Sequence, residues 1–193
     1  SGRKAWFFFS DMIVCLGADI NNTAEYDVVT TVNQCRLAGA VTLGKGNTSE
    51  TLPEGETNQN VHWVHHDGVG YLFPQESLVS LATGTRTGTW TRISAQRSDR
   101  TVTDSVFSLD LPHGTTPKAK EYAYAIYPQK DATDMPNLTQ NPSFELLPFC
   151  ILLTRKVVGA VLRDRIFQYQ QIAYNDWFPI ASSGNYYTLL TYP

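Results

Sequence analysis

Short segments of alternating apolar and polar residues recur along the first two thirds of the chain. Alternation with a period of two predicts strands, because successive side chains of a strand point to opposite faces of a sheet. The residues between the segments are typical of turns, and their spacing is typical of a β-sandwich. The strands predicted in this way cover residues 4–9, 12–16, 27–32, 61–66, 69–73, 78–82, 87–94, 105–111 and 121–127.

Two dipeptides between neighbouring strands predict hairpins. Ser10-Asp11 separates two short apolar segments and is compatible with a tight turn. Asp67-Gly68 is the stronger signal, because the tight turns of hairpins favour positive φ at both central positions. The strand at 121–127 has the clearest alternation, and it places large side chains on one face and mainly alanine on the other.

The remaining segments are less regular. Residues 44–60 and 129–142 are polar and rich in turn formers, which predicts loops. Residues 146–153 are continuously apolar and predict a buried strand. Residues 156–171 fit either a helical stripe or a strand, and residues 174–193 predict one or two edge strands.

Composition limits the class of protein. The chain has 193 residues, 15 Lys and Arg against 18 Asp and Glu, only 17% charged residues and 12% aromatic residues. These values argue against long solvated helices, intrinsic disorder and a dedicated nucleic-acid binder. The apolar runs are too short to span a bilayer. We therefore expect one polar-surfaced β-sandwich domain over residues 1–193, with neither nucleic acid nor membrane as a partner.

Cysteines and histidines give weak metal signals. Cys15, Cys35 and Cys150 form no CxxC motif, and we expect all three to be structural. On a strand, His62 and His66 share one face, so they cannot converge with the neighbouring His65 and Asp67 on one ion. We therefore predict no metal at these residues.

The segment 19–27 carries oxygen-bearing side chains at every second position, as calcium loops do. It lacks the rest of that pattern, because Ala24 stands in place of the turn glycine and Thr30 in place of the bidentate glutamate. We expect a solvated turn and no cofactor, with calcium as the less favoured alternative.

Tryptophan and arginine mark candidate carbohydrate contacts at Trp63, Trp90 and Arg92. An aromatic ring can stack on the apolar face of a sugar, and a guanidinium group can pair with its carboxylate or sulfate. Arg86, Arg97 and Arg100 lie close to Trp90 in the sequence and strengthen the pattern. The alternative is an ordinary sandwich edge, where arginine stems cover apolar surface.

Seven blocks of the sequence are residues 3–9, 13–20, 29–34, 66–74, 88–90, 113–117 and 122–128. In this order they resemble the central β-domain of polysaccharide lyase family 8. Members of this family include chondroitin AC, hyaluronate and xanthan lyases, and the chondroitin AC branch is the most similar. The likeness extends over about residues 3–147, whereas residues 148–193 form a tail that does not follow the family pattern.

The resemblance implies an all-β antiparallel β-supersandwich of the galactose-mutarotase-like type, in a secreted or periplasmic bacterial enzyme that cleaves acidic polysaccharide. Such lyases act by β-elimination. The uronate carboxylate is neutralised, a base removes the C5 proton, and the glycosidic oxygen is protonated as it leaves C4. The resemblance also implies that Trp6 and residues 7–9 belong to the core.

In this family the catalytic asparagine, histidine, tyrosine and arginine lie mainly on an α-helical toroid that precedes the β-domain. No residue of this chain matches them, so we predict no catalytic residue. Our leading hypothesis is a supporting sandwich of a glycosaminoglycan-type lyase, with the toroid of the same parent protein as its partner. The alternatives are a non-catalytic carbohydrate-binding or structural module and, less favoured, a self-contained enzyme with mutarotase-like chemistry.

Overall fold

The computed structural model describes residues 1–45, 48–142, 144–147, 150–157 and 160–168. Strands dominate these residues, joined by one short α-helix, α1 (Met135–Gln140), and two 3₁₀ turns, Trp90–Arg92 and Ala132–Asp134. The strands are β1 (Arg3–Phe8), β2 (Ile13–Ile20), β3 (Val28–Arg36), β4 (Thr42–Lys45), β5 (Thr48–Thr51), β6 (Gly55–His66), β7 (Val69–Thr89), β8 (Thr101–Gly114), β9 (Lys120–Pro128), β10 (Phe144–Leu147), β11 (Cys150–Val157) and β12 (Ala160–Gln168).

The chain divides into two compact units, Ser1–Thr139 and Gln140–Pro193. The first unit contains a nine-stranded sheet in the order β1-β2-β9-β7-β6-β4-β5, with β8 pairing with both β7 and β3. The second contains the three-stranded sheet β10-β11-β12. All of these pairings are antiparallel. The prediction of a single domain over residues 1–193 remains a prediction.

Strand β7 organises the first unit because it pairs with three other strands. Its first residues pair with β9, its last ten pair with β8, and β6 runs beside most of its first half. The sequence predicts three separate strands here, and the structure shows one. Pro74 is accommodated because residues 73–76 have no partner on the neighbouring strands, so its missing N–H leaves no gap in a ladder.

The predicted hairpins are confirmed. Phe8 pairs with Ile13 across the first turn. At the second turn, His66 pairs with Val69, while Asp67 has a φ of 48° and Gly68 a φ of 72°. Two positive φ values give the strands the right-handed twist that a two-residue hairpin needs. The strand predicted at 121–127 is confirmed as β9.

Several local predictions were wrong. Residues 44–60, predicted as a loop, contain the end of β4, the whole of β5 and the first half of β6. Strand β5 is polar and exposed along its whole length, so it has no apolar alternation to detect. The predicted loop at 129–142 contains α1, and the strand predicted at 87–94 ends at Thr89. Residues 160–168 form a strand, which excludes the helical interpretation there; residues 174–193 lie outside the described part.

The core of the first unit consists of buried side chains from β2, β4, β6, β7, β8 and β9, with partly buried side chains of β3 packed against them. Fully buried residues of this core include Val61, Val79, Phe107 and Leu109.

The prediction that Trp6 and residues 7–9 belong to the core is wrong for two of them. Trp6 is 55% exposed and Phe8 is 72% exposed, because β1 is an edge strand whose alternate side chains extend past the buried interior.

Candidate carbohydrate-contact surface

Trp63 lies in the core of the first unit. Its side chain is 0% exposed and packs against the backbone at Gly44, where a Cβ atom would lie 2.3 Å from Trp63 Cε2. Only glycine fits at that approach. The ring face of Trp63 is therefore inaccessible to a polysaccharide, and this residue acts in packing instead of the sugar contact predicted from the sequence.

Trp90 and Arg92 lie at the tip of the β7–β8 hairpin, which we define as residues 90–100. The two strands close at the Thr89–Thr101 pair. Beyond it the chain makes a 3₁₀ turn, in which the backbone N–H groups of Ile93 and Ser94 both donate to the carbonyl of Trp90 at 3.0 Å. This turn presents the Trp90 ring to solvent, where it is 55% exposed.

The tip combines apolar area with positive charge. Ile93 is 81% exposed beside Trp90. Three exposed arginines and a single aspartate follow within the tip, at Arg92, Arg97, Arg100 and Asp99. Among the residues that the structure describes, none of these arginines forms an ion pair. The guanidinium groups are thus available to an anion, and the contact of Trp90 and Arg92 with sugar remains a prediction.

A polar cleft of about 250 Å³ lies on the outer face of the same hairpin. Cross-strand register brings lining residues together, because Ala82 pairs with Ser108 and Ser80 pairs with Asp110. Arg86 binds Glu56 on one side of the cleft. Its polar lining includes Gln34, Glu56, Ser80, Arg86, Ser108 and Asp110.

The cleft was not predicted from the sequence. Its residues come from β3, β6, β7 and β8, and alternation along a single strand does not show which small residues become neighbours. Asp110 lines the cleft and accepts hydrogen bonds from Thr31 Oγ1 at 2.6 Å and Ser108 Oγ at 2.8 Å. The hydroxyl and carboxylate groups give the cleft the mixed donors and acceptors that sugar hydroxyls can use.

His66, next to Asp67, has a structural role. His66 is buried and its ring contacts that of Phe107 in a tilted arrangement, with centroids 4.6 Å apart and 37° between the planes. Its Nε2 accepts the backbone N–H of Ala38 at 3.0 Å, which places the proton on Nδ1, 3.7 Å from Cys35 Sγ. Burial lowers the pKa of His66 and raises the pKa of the Cys35 thiol. An uncharged ring therefore lies beside a protonated thiol.

The next question is whether the described residues group side chains that could bind a metal ion. Those residues contain no cluster of three or more His, Cys, Asp or Glu side chains suited to an ion. In the calcium-like segment, Asn21 Nδ2 donates to Asp19 Oδ1 at 2.7 Å, and Thr115 Oγ1 donates to Asp27 Oδ1 at 2.9 Å. Both carboxylates accept hydrogen bonds within the fold, and the solvated turn without calcium remains a prediction.

Comparison with known proteins identifies the family. A match to the super-sandwich domain of polysaccharide lyase family 8 covers residues 1–139. The chain belongs to polysaccharide lyase family 8. The fold predicted from the sequence, an antiparallel β-supersandwich, is thereby confirmed.

Individual members of the family support the same assignment. The chain is 40% identical to chondroitinase-AC of Pedobacter heparinus over 126 residues, which are 65% of this chain and 18% of that protein. It is 35% identical to a hyaluronate lyase of Thermasporomyces composti, over 66% of this chain and 17% of the relative. A chondroitinase AC lyase solved with oligosaccharides superimposes with a TM-score of 0.71 and 31% identity, over 79% of this chain and 23% of that one.

The chain therefore spans less than a fifth of the length of these two curated relatives. The described residues include no helix with the length and apolar character needed for a membrane span.

Proposed function

We propose that this chain is the supporting super-sandwich of a lyase that cleaves acidic, glycosaminoglycan-type polysaccharide by β-elimination. The match of residues 1–139 to the family 8 super-sandwich is the observation that carries the proposal. The names of two relatives, chondroitinase-AC and hyaluronate lyase, supply the substrate class. Chondroitin and hyaluronan both contain uronate, whose acidic C5–H is the group that β-elimination requires.

The chain does not catalyse elimination alone in this proposal. The catalytic residues belong to an α-helical toroid of the same parent protein, as the family resemblance implies. The only α-helix in the described residues is the six-residue α1. The sandwich would then act as a rigid support that forms one wall of the substrate cleft. In this role its side chains bind the substrate and do not transfer protons.

The hairpin tip is the contact surface that we assign to this wall. Trp90 offers an exposed ring for stacking on a sugar face, and Arg92 offers a fork of donors for a carboxylate or sulfate. Both groups belong to a short turn anchored at the end of a continuous β-ladder. Such anchoring limits the entropy lost when the side chains bind a ligand.

This role places the protein in a bacterial secreted or periplasmic setting, because long polysaccharides are degraded outside the cytoplasm. It uses no cofactor, and a calcium ion in segment 19–27 remains the less favoured alternative. The second candidate function is a non-catalytic carbohydrate-binding module. The exposed tip favours it as well, since the same groups would bind a polysaccharide without any catalytic partner.

Binding measurements with tip variants test the contact surface. Titration calorimetry of the full chain with a chondroitin sulfate oligosaccharide should show about tenfold weaker binding for Trp90→Ala and for Arg92→Gln, a loss of roughly 1.4 kcal/mol each. Arg36→Gln is the matched control. Arg36 is an exposed arginine of β3, outside the tip, and its Nε lies 2.7 Å from Asp104 Oδ2 in an ion pair. Equal affinities for all four proteins would contradict the assignment of the tip.

A further inference from the structure

A second exposed surface lies on edge strand β1. Trp6 and Phe8 lie on the same face of this strand and are 55% and 72% exposed. Trp6 pairs with Cys15, which pairs with Tyr124, so the exposed ring of Trp6 continues a row of side chains that leads into the core. Cys15 and Tyr124 in this row are buried, whereas Trp6 is exposed to solvent.

The neighbouring row combines a lysine with an aromatic ring. Lys4 pairs with Gly17, and Gly17 pairs with Tyr122. Because Gly17 has no side chain, the Tyr122 ring lies over it, where a Cβ atom would be 2.0 Å from Tyr122 Cε1. Lys4 and Tyr122 therefore face each other across a strand with no side chain between them. Lys120 lies on the same face of β9 as Tyr122, two residues away.

His113 of β8 completes this surface. Its ring stacks on Tyr122 with centroids 6.0 Å apart and an angle of 29° between the planes. Its Nε2 lies 2.8 Å from Thr30 Oγ1. Burial, and then the charges of Lys120 and Lys4, lower the pKa of His113. The ring is thus within electrostatic range of both lysines, although the two lysines come from different strands.

The surface combines the two features that recognise an acidic sugar. Exposed or half-buried rings of Trp6, Tyr122 and His113 can contact the apolar C–H faces of pyranose rings. The ammonium groups of Lys4 and Lys120 can pair with carboxylate or sulfate. In the described part of the chain neither lysine is held in an ion pair. A purely apolar protein partner would leave these charges desolvated and unpaired, at a cost in free energy.

We propose that Lys4, Trp6, His113, Lys120 and Tyr122, which we call the β1–β9 rim, form a second binding site for acidic saccharide, separate from the hairpin tip. The ligand class rests on the proposed function. The site itself rests on the register, exposure and ring geometry of these residues. A long polysaccharide that engages both surfaces of one enzyme would be held by two contacts and would dissociate more slowly than from either alone.

Titration of the full chain with a chondroitin sulfate tetrasaccharide tests the rim. Trp6→Ala and Lys4→Gln should each weaken binding about fivefold. Lys130→Gln, which changes a lysine beyond the opposite end of β9, should leave the affinity unchanged. Uncharged tetraacetylchitotetraose should bind more weakly than the acidic tetrasaccharide. In the wild type, the NMR-detected pKa of His113 should rise on binding, because a nearby anion favours the imidazolium form.

The outcomes separate this inference from the proposed function. Binding that Trp90→Ala weakens, but that Trp6→Ala and Lys4→Gln leave unchanged, overturns the rim and keeps the tip. No binding of the tetrasaccharide by the wild type overturns both. Concentration-dependent self-association that Trp6→Ala abolishes, seen by light scattering with no shift in the pKa of His113, assigns the apolar residues to an interface between copies and overturns the rim. Circular dichroism of each variant checks that the fold is intact.

Discussion

Tyr122 lies directly over Gly17, its cross-strand partner, and occupies the space that a side chain at position 17 would need. A Cβ atom there would be 2.0 Å from Tyr122 Cε1 and 2.4 Å from Tyr122 Cζ. The Tyr122 ring also stacks on His113 and Tyr124, whose ring centroids are 6.0 Å and 5.8 Å away. One glycine thus allows an aromatic stack that joins β8 and β9.

Gly17→Ala should destabilise the fold, because the Tyr122 ring must move and lose its stacking partners. We expect the free energy of unfolding to fall by about 1–3 kcal/mol, the usual cost of overpacking. Urea denaturation followed by tyrosine and tryptophan fluorescence measures the change. Gly88→Ala is the control, since Gly88 is also in a strand but has open space around it. A loss for Gly17→Ala no larger than that of the control would contradict this packing account.

Gly68→Ala should destabilise the β6–β7 hairpin. Gly68 has a φ of 72° and open space where a side chain would lie, so the cost comes from the backbone conformation alone. A left-handed conformation costs a residue with a Cβ about 1–2 kcal/mol. The urea midpoint should fall accordingly, with an unchanged denaturant slope. A Gly68→Asn variant should recover much of the loss, because asparagine tolerates this region; equal losses for both variants would argue against a conformational cause.

Stability should fall on acidification because of His66. Burial lowers the pKa of folded His66 from its ordinary value of 6.5, despite the opposing charge of Asp67. As the pH falls below 6.5, the unfolded chain binds a proton that the folded chain resists, so the free energy of unfolding decreases. His113, whose pKa is also lowered, contributes in the same direction.

Urea midpoints measured at about pH 7 and about pH 5 test this linkage. The wild type should lose stability between the two, and His66→Phe should lose less, because it has one fewer histidine to charge on unfolding. Phe fills a similar volume against Phe107, and Ala38, whose N–H loses its acceptor, is exposed to water. An equal or larger decrease in the variant would show that His66 does not carry the effect.

Cys35 should react slowly with iodoacetamide even though its side chain is only half-buried. Burial raises the pKa of its thiol, and only the thiolate is the nucleophile. Peptide mapping after timed alkylation near neutral pH should show Cys35 reacting more slowly than glutathione under the same conditions. A rate equal to that of glutathione or faster would mean that His66 activates the thiol, contrary to the arrangement described.

Local signals in the sequence predicted the elements that local chemistry decides. The Asp67-Gly68 turn and the alternation of β9 depend only on neighbouring residues, and both were predicted correctly. The continuity of β7 through Pro74 was not predictable in this way, because it depends on the gap in pairing opposite residues 73–76. Strand β5 was not predictable for the same reason, because it is polar and exposed and depends on its pairing with β4.

The exposure of the candidate site residues also depends on contacts that local sequence does not show. Trp63 and Trp90 are equally plausible stacking platforms from the sequence, and only the close approach of Gly44 to Trp63 shows which of them is buried. The family resemblance implies that Trp6 belongs to the core, yet its position on an edge strand leaves it exposed. The position of a strand within a sheet is a property of the whole chain, and periodicity does not encode it.

The most direct test of the central claim is a lyase assay on the isolated 193-residue chain. Chondroitin sulfate and hyaluronan are each mixed with the chain, and the ultraviolet absorbance of unsaturated uronate is followed beside a binding isotherm. We predict binding that depends on Trp90, with no unsaturated product. Product formed by this chain alone, and abolished when the chain is denatured, would contradict the claim that it supports a catalytic domain without carrying the catalytic residues itself.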